Sequence, residues 1–274
     1  MTFFYIVVFF VGASLGSFVN ATAMRLAVGE GINGRSYCRT CRRTLRWFEL
    51  IPVFSYLAQM GSCRRCKARL SPRYVLAEVL LGLYAISLFF YVSNGILVTP
   101  LDSLFLRLGF LPYLLFTLYF LIGAALFFVA LHDLDTKLVI VALPRTIAAL
   151  GVTLLILQIL FLPQIPRIEV YKIVLLSLLI LAGFWLVSLA TRGRGLGWGD
   201  AEVAFAVSLF LPFPLAILMV LFSFWSGALV AVSLLLFSGA GLKTQVPFAP
   251  FIVFGFFAAL FGGNYLLPHI LPLV

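Results

Sequence analysis

The chain has 274 residues, of which 64% are hydrophobic and only 10% are charged, and its mean hydropathy is +1.17. These values exclude a soluble globular domain and predict a membrane protein with several spans. The net charge of +10 is concentrated in one segment, because residues 35–73 hold ten Lys or Arg against a single acid, Glu49.

Apolar stretches recur along the whole chain, and eight of them are close to the ~20 residues that a bilayer requires. We therefore predict an all-α polytopic membrane protein with about eight transmembrane helices. The sixth stretch is short and carries Asp200 and Glu202 near its start, so we expect it to be partly interfacial or to merge with its neighbour. The stretches lie at about 3–24, 75–98, 109–131, 138–161, 172–190, 200–213, 215–238 and 248–267.

The first stretch carries no charge within residues 1–24, so it lacks the basic start of a cleaved signal peptide, and we interpret it as the first transmembrane helix. Residues 25–74 form the predicted basic loop that follows. Basic loops are retained in the cytoplasm, and no nucleic-acid-binding motif accompanies this one. We therefore expect membrane lipid and no nucleic acid as a partner, with residues 35–73 cytoplasmic and the N-terminus outside.

All four cysteines lie in this loop, as two Cys-x-x-Cys pairs separated by 21 residues. Paired thiolates of this kind supply four ligands at the corners of a tetrahedron, which suits Zn²⁺. A redox pair and incidental cysteines are the alternatives. The pattern predicts a structural zinc site in a zinc-ribbon-like loop, and its ligands are Cys38, Cys41, Cys63 and Cys66.

Two aspartates follow later apolar runs. Asp133 lies just past the third stretch, and Asp200 closes a glycine-rich turn that begins at Gly195. A charged Asp at the bilayer centre costs about 2.5–3.5 kcal/mol, so each carboxylate requires an explanation. Counting spans from a cytoplasmic 35–73 places residues 132–137 and 191–200 on the cytoplasmic side, with 99–107 and 162–171 outside. The shared side predicts an acid/base pair.

Two readings compete with this pairing of Asp133 and Asp200. Each aspartate can instead cap a helix end, where Asp is common. Asp135 is the rival of Asp133, but residues at i and i+2 of a helix do not share a face, so at most one of them is expected to face Asp200.

Several motifs, in this order along the chain, resemble the bacterial prepilin peptidases, the type IV leader peptidases and N-methyltransferases of the GxGD aspartyl protease family. The resemblance covers nearly the whole chain. Its motifs are Gly12–Asn20 with Arg25, the two Cys-x-x-Cys pairs, Trp47–Leu57, Ser71–Tyr74 with Glu78, Asp133, Gly197-Trp198-Gly199-Asp200, and Pro247–Phe251.

The resemblance implies that Asp133 and Asp200 are the catalytic residues of a membrane aspartic endopeptidase, with the peptidase domain in residues 75–274. The implied substrates are prepilin-like proteins, either type IV pilins or type II secretion pseudopilins, cut at the cytoplasmic boundary of the bacterial inner membrane. The implied second step is N-methylation of the new N-terminus with S-adenosylmethionine. No sequence signal identifies the residues that bind this cofactor.

Three positions depart from the family pattern. Ile140 stands where a proline is usual, Glu202 where a lysine is common, and Ala249 where a glycine is expected. Glu202 adds a third carboxylate near the pair. Two alternatives therefore remain: a catalytically inactive zinc-ribbon membrane scaffold, and an ion-coupled transporter that uses the intramembrane aspartates.

Overall fold

A computed structural model describes residues 2–94, 111–161, 167–193, 195–237 and 246–270. Within these ranges the regular secondary structure is helical, with only two isolated β-bridges and no strand. A 3₁₀ turn covers Trp47–Leu50. The α-helices are α1 (Thr2–Leu26), α2 (Phe54–Ala58), α3 (Arg73–Ser93), α4 (Leu111–Thr136), α5 (Ala142–Phe161), α6 (Arg167–Ala190), α7 (Trp198–Ser208), α8 (Phe213–Phe237) and α9 (Ala249–Ile270).

The predicted all-α membrane architecture is confirmed, since every predicted stretch corresponds to one helix. Among the described residues, six helices are long and apolar enough to cross a membrane, and α9 contributes a shorter apolar stretch at Ala249–Gly263. The count of eight spans is approximate because α7 has only 11 residues. The predicted outside loops at 99–107 and at 162–166 lie outside the described residues.

Helices α1 and α3 form a closely packed pair, because glycines let the two backbones approach. A Cβ atom added at Gly16 would lie 2.5 Å from the carbonyl oxygen of Ala77, and one at Gly12 would lie 2.7 Å from that of Leu81. Small residues at such contacts allow van der Waals packing between membrane helices. Helix α4 packs against both members of the pair.

The second half of the bundle is built around α8 and α9, which pack along much of their length. Gly255 of α9 lies against Ser223, where an added Cβ would be 2.3 Å from the hydroxyl oxygen. Helix α9 also contacts α4 and α7, so it joins the two halves of the molecule.

Helix α7 is a half-length helix, since 11 residues span only about 16 Å. It packs on α5, α6 and α9 and ends inside the bundle, where Phe210 is 1% exposed. The hydroxyl of Tyr119 on α4 donates to the carbonyl oxygen of Phe210 (3.0 Å), which satisfies an orphan group of this buried end. The short helix stays separate from α8, because Pro212 and Pro214 stand at the start of α8.

Residues 27–72 lie between α1 and α3, and we call the end of the bundle that carries them the loop end. The start of α3 meets the finish of α4 there, where Arg73 pairs with Asp135. The turn from α6 into α7 reaches the same end, because Gly199 lies against Val139 in the connection between α4 and α5. The loop end therefore collects the segments for which the sequence predicts chemistry.

Candidate active site and cysteine cluster

Asp133 lies in the last turn of α4 and is only 4% exposed. Its Oδ2 accepts a hydrogen bond (3.2 Å) from the backbone N–H of Ala249, the first residue of α9. An anion is stabilised at the N-terminus of a helix and destabilised at the C-terminus of its own. Capping of α4 therefore does not explain Asp133, whereas its contact with α9 does.

Asp200 is the third residue of α7 and is 6% exposed. Its Oδ2 accepts a hydrogen bond (2.9 Å) from the backbone N–H of Gly197, the N-cap residue. Helix capping thus accounts for one hydrogen bond of Asp200, but it does not explain why this side chain is buried between helices. A Cβ at Gly197 would lie 3.2 Å from the same carboxylate oxygen, so a small residue suits this position.

The structure brings the two aspartates to the same end of the bundle, with Asp133 against the first residue of α9 and Asp200 in the first turn of α7, a helix that packs on α9. The turn that carries Asp200 is held against the segment after Asp133, since a Cβ at Gly199 would lie 2.6 Å from the Cβ of Val139. Both carboxylates sit at helix N-termini, one at α7 and one at α9. Two buried carboxyl groups can share a proton where they lie close together.

Asp135, the rival of Asp133, is engaged elsewhere. Arg73 at the start of α3 donates to both of its carboxylate oxygens, with Nη2 2.9 Å from Oδ2. The same Nη2 also donates to the carbonyl of Leu131 (3.2 Å). His132 is likewise occupied, because its Nδ1 lies 2.9 Å from the carbonyl oxygen of Leu138.

The third carboxylate, Glu202, is paired with an arginine that sequence reasoning did not single out. Arg145 of α5 donates from Nε to Oε2 (2.9 Å) and from Nη2 to Oε1 (2.8 Å). The two residues are 57 positions apart, so only their opposite charge could have suggested the pairing. The pair neutralises Glu202 within α7, the same helix that carries Asp200.

The other two departures from the family pattern have a simple structural setting. Ile140 lies before α5, and its carbonyl accepts from the N–H of Leu143 (3.1 Å), so the turn forms without proline. Ala249 is fully buried and contributes its backbone N–H to Asp133. This contact uses no side-chain atom, which is why alanine can stand in for glycine.

The four cysteines come together as predicted, with all four Sγ atoms within 4.8 Å of one another. The Sγ atoms of Cys38 and Cys66 are 3.8 Å apart. Four sulfur atoms at the Zn–S distance of about 2.3 Å form a tetrahedron whose edge is about 3.8 Å, so the cluster fits a tetrathiolate metal site. The cluster can hold a metal ion.

The two Cys-x-x-Cys segments repeat one local geometry at an offset of 25 residues. Arg42 and Lys67, each directly after the second cysteine, both have φ of 57°. Their N–H groups donate to the carbonyls of Cys38 and Cys63 (2.8 and 2.9 Å). Backbone N–H groups lower the pKa of Cys63 to about 6, whereas at Cys66 the backbone N–H of Ala68 is outweighed by burial and by hydrogen bonds with the other thiols, which raise the pKa of this thiol to about 11.

Glu49, the single acid within residues 35–73, supports this cluster. Glu49 is buried and accepts from Arg43 (2.6 Å) and from the backbone N–H of Arg46 (2.9 Å). The Arg43 guanidinium holds the pKa of Glu49 below its usual range. Charge pairing therefore fixes the first cysteine segment to the 3₁₀ turn that follows it.

S-adenosylmethionine has no recognisable site among the described residues. The glycine-rich turn after α6 has glycines at alternate positions, Gly193, Gly195, Gly197 and Gly199, and not at the offsets of a nucleotide-binding GxGxxG turn. Gly197 and Gly199 are accounted for by contacts with Asp200 and Val139.

Comparison with known proteins supplies independent information. The family described as Bacterial Peptidase A24 N-terminal domain matches residues 10–92, and the Type IV leader peptidase family matches residues 120–232. The chain is 31% identical to a prepilin leader peptidase/N-methyltransferase of Pseudomonas putida, covering 83% of this chain and 72% of that protein. It is 26% identical to the protein of the same name from Aeromonas hydrophila, covering 95% and 91%. No solved structure matches the chain.

Proposed function

Because the chain belongs to the type IV leader peptidase family, we propose that Asp133 and Asp200 are the acid/base pair with which it cleaves prepilin-like proteins. The observation that carries this proposal is the convergence of two buried carboxylates at the N-termini of α7 and α9. The competing carboxylates do not offer the same chemistry, since Asp135 and Glu202 are both held in arginine pairs.

The chemistry follows from the residues. Peptide hydrolysis without a nucleophilic side chain requires an activated water and a polarised carbonyl group. Neighbouring carboxylates share one proton, so the ionised member takes a proton from water while the protonated member donates to the carbonyl oxygen. The pair titrates as a unit, and neither aspartate has a fixed role.

The hydrogen bonds suggest which atoms take part. The N–H groups of Ala249 and Gly197 each hold the Oδ2 atom of one aspartate. We assign the Oδ1 atoms to water and to the substrate carbonyl. The two N–H groups orient the carboxylates at the ends of different helices, so the relative position of α7 and α9 sets the geometry of the pair.

The chain is a multi-pass protein of the bacterial inner membrane. We propose that the loop end faces the cytoplasm and that the N-terminus lies outside. The support is the excess of ten Lys or Arg over one acid in residues 35–73. A basic leader resists translocation for the same reason, so the scissile bond of a prepilin-like substrate would meet the aspartates at this side.

We also propose that the cysteine cluster binds one Zn²⁺ with a structural role, through Cys38, Cys41, Cys63 and Cys66. The sulfur distances fit, and no fifth ligand lies among the described residues of the cluster. Bound zinc would fix the two cysteine segments relative to each other. No catalytic role is assigned to it.

Methylation of the exposed amine is proposed from the names of the relatives, which pair the peptidase with an N-methyltransferase. S-adenosylmethionine would supply the methyl group. The inactive-scaffold and ion-transporter alternatives are not favoured, because the matched family is one of peptidases and covers the segment with both aspartates.

The decisive experiment uses the purified full-length protein in lipid vesicles with a prepilin-like substrate that has a basic leader and an apolar helix. Mass spectrometry of the substrate N-terminus is expected to show loss of the leader. With S-adenosylmethionine present, it is expected to show an additional 14 Da, the mass of one methylene added by methylation. An intact leader after prolonged incubation with several such substrates would contradict the proposed peptidase.

A further inference from the structure

The segment between the two cysteine pairs does not stay on the surface of the loop end. The ring of Phe54 stacks on the ring of Phe10 in α1, with centroids 5.9 Å apart and planes at 17°. Phe10 stands 16 residues before Leu26, where α1 ends.

Because Gly16 of α1 lies against Ala77, the start of α3 at Arg73 is level with about Asn20, and the last turns of α1 project beyond it. Phe10 is ten residues from that level, about 15 Å, which is about the depth of one leaflet of a hydrocarbon core of about 30 Å.

A non-helical backbone at such depth must have its polar groups satisfied. The N–H of Val53 donates to Oε2 of Glu78 in α3 (2.7 Å). The N–H of Phe54 donates to the carbonyl of Pro52 (2.7 Å), and the next N–H donates to the carbonyl of Ile51. The N–H groups of Val53, Phe54 and Ser55 therefore all have hydrogen-bond partners within the protein and do not require water.

The backbone of Val53 is strained, with φ 65° and ψ −53°. The Phe54-to-Pro52 hydrogen bond closes a γ-turn around it, a rare conformation for a β-branched residue. Strained conformations persist only where the surroundings hold them. Glu78, only 7% exposed inside the apolar helix α3, is the group that does so.

The outward face of the segment is apolar. Phe54 and Leu57 are 60% and 62% exposed, and Ile51 is exposed beside them. This face continues along α1 through Ile6, Val7, Phe10, Val11 and Ser14, which form an open and mostly apolar strip. The flanking parts of the loop are rich in arginine and lysine, which suits the anionic head groups of a bilayer surface.

We propose that residues 51–57 form a re-entrant segment that enters the loop-end leaflet and packs its apolar face on phospholipid acyl chains, with Glu78 holding its γ-turn. The occupant is lipid because the face borders the transmembrane helix α1 over the depth of the leaflet and because basic residues flank it. Glu78 is a positioning residue. Its hydrogen bond with the Val53 N–H gives this buried acid of α3 a partner.

The test measures depth and does not depend on catalysis. A nitroxide on a genetically encoded ketone residue at position 57 leaves the native cysteines in place. The labelled full-length protein is placed in phosphatidylethanolamine and phosphatidylglycerol vesicles, and collision with oxygen is compared with collision with a water-soluble nickel chelate. We expect the oxygen-to-nickel ratio at position 57 to exceed that at Arg65, the surface control, by at least threefold. Equal ratios would overturn the proposal.

Variants of Glu78 test the positioning role with the same label. Glu78→Gln retains an oxygen that accepts the Val53 N–H, so the ratio should stay high, whereas Glu78→Ala should lower it toward the value at Arg65. An unchanged ratio in Glu78→Ala would refute the role of Glu78. If Glu78→Ala fails to fold, a lowered ratio in Glu78→Gln would refute it equally. Nickel protection at position 57 that arises only after a prepilin-like substrate is added would assign the face to substrate and overturn the lipid proposal.

Discussion

At the scale of single residues, both burial and partners separate the four carboxylates of the region, because Asp133 and Asp200 are buried whereas Asp135 and Glu202 are not. Asp133 and Asp200 each accept a hydrogen bond from a backbone N–H, which does not neutralise the carboxylate. Asp135 and Glu202 are each paired with a guanidinium, which does. A carboxylate in an arginine pair is a poor proton carrier, because its charged form is stabilised. The two kinds of partner therefore divide the acids into a catalytic candidate pair and two structural residues.

Replacing either candidate tests this division. Asp133→Asn and Asp200→Asn are each expected to lower prepilin cleavage by about 10²–10⁴-fold, the usual contribution of an acid/base group. Both variants should still insert, since the amide oxygen can accept the same N–H. Initial rates of leader release from a defined substrate measure the effect.

Asp135→Asn is the matched control, two positions from Asp133 on the same helix. It is expected to keep cleavage within about tenfold and to lower stability by about 1 kcal/mol or less, because its pair with Arg73 is partly exposed. Loss of cleavage in Asp135→Asn together with normal cleavage in Asp133→Asn would reassign the pair.

At the scale of elements, the α1–α3 contact depends on glycine. Gly16→Ala places a Cβ 2.5 Å from the Ala77 carbonyl, so the helices must separate, and we expect a loss of about 1–3 kcal/mol of stability. Gly183→Ala in α6 is the matched control, because no atom lies within 4 Å of its added Cβ. Thermal unfolding in detergent compares the two. Equal midpoints would show that α1 and α3 do not pack as described.

The cysteine loop is the second element with a direct test. We expect about one zinc per chain by elemental analysis, and Cys38→Ser or Cys63→Ser should remove it, because three thiolates and a hydroxyl bind zinc less well. Structural sites of this kind contribute about 10–16 kcal/mol of apparent binding free energy, so the loop should become protease-sensitive. Ser62→Ala, next to Cys63, is the control and should retain the metal. Zinc-free protein that resists protease as well as the untreated protein does would contradict a structural metal.

At the scale of the whole molecule, the proposed mechanism requires one orientation. Probes at Lys137 and Arg192, which lie in the connections after α4 and α6, should both react from the cytoplasmic side. Membrane-impermeant labelling of encoded ketone residues in inverted and right-side-out vesicles measures this without disturbing the cysteines. Labelling of the two positions from opposite sides would rule out the aspartate pair and favour the transporter alternative.

The sequence alone predicted the helical stretches and the cysteine cluster, because both follow from local constraints. Inside a bilayer the backbone N–H and C=O groups find hydrogen-bond partners only within the helix itself, so the length of an apolar stretch predicts a transmembrane helix. The spacing of two paired Cys-x-x-Cys segments allows their four thiols to come together in one cluster. The i,i+2 argument likewise predicted that Asp133 and Asp135 would face different neighbours.

The tertiary structure alone decided which helix each polar group meets. Asp135 meets Arg73 across 62 positions, Glu202 meets Arg145 across 57, and Asp133 meets the N-terminus of α9 across 116. Apolar periodicity says little about which face of these helices packs against protein, because lipid and the protein interior favour the same side chains. Depth and rotation are therefore set by packing of small residues and by helix ends, and these bring the two aspartates together only once the chain is folded.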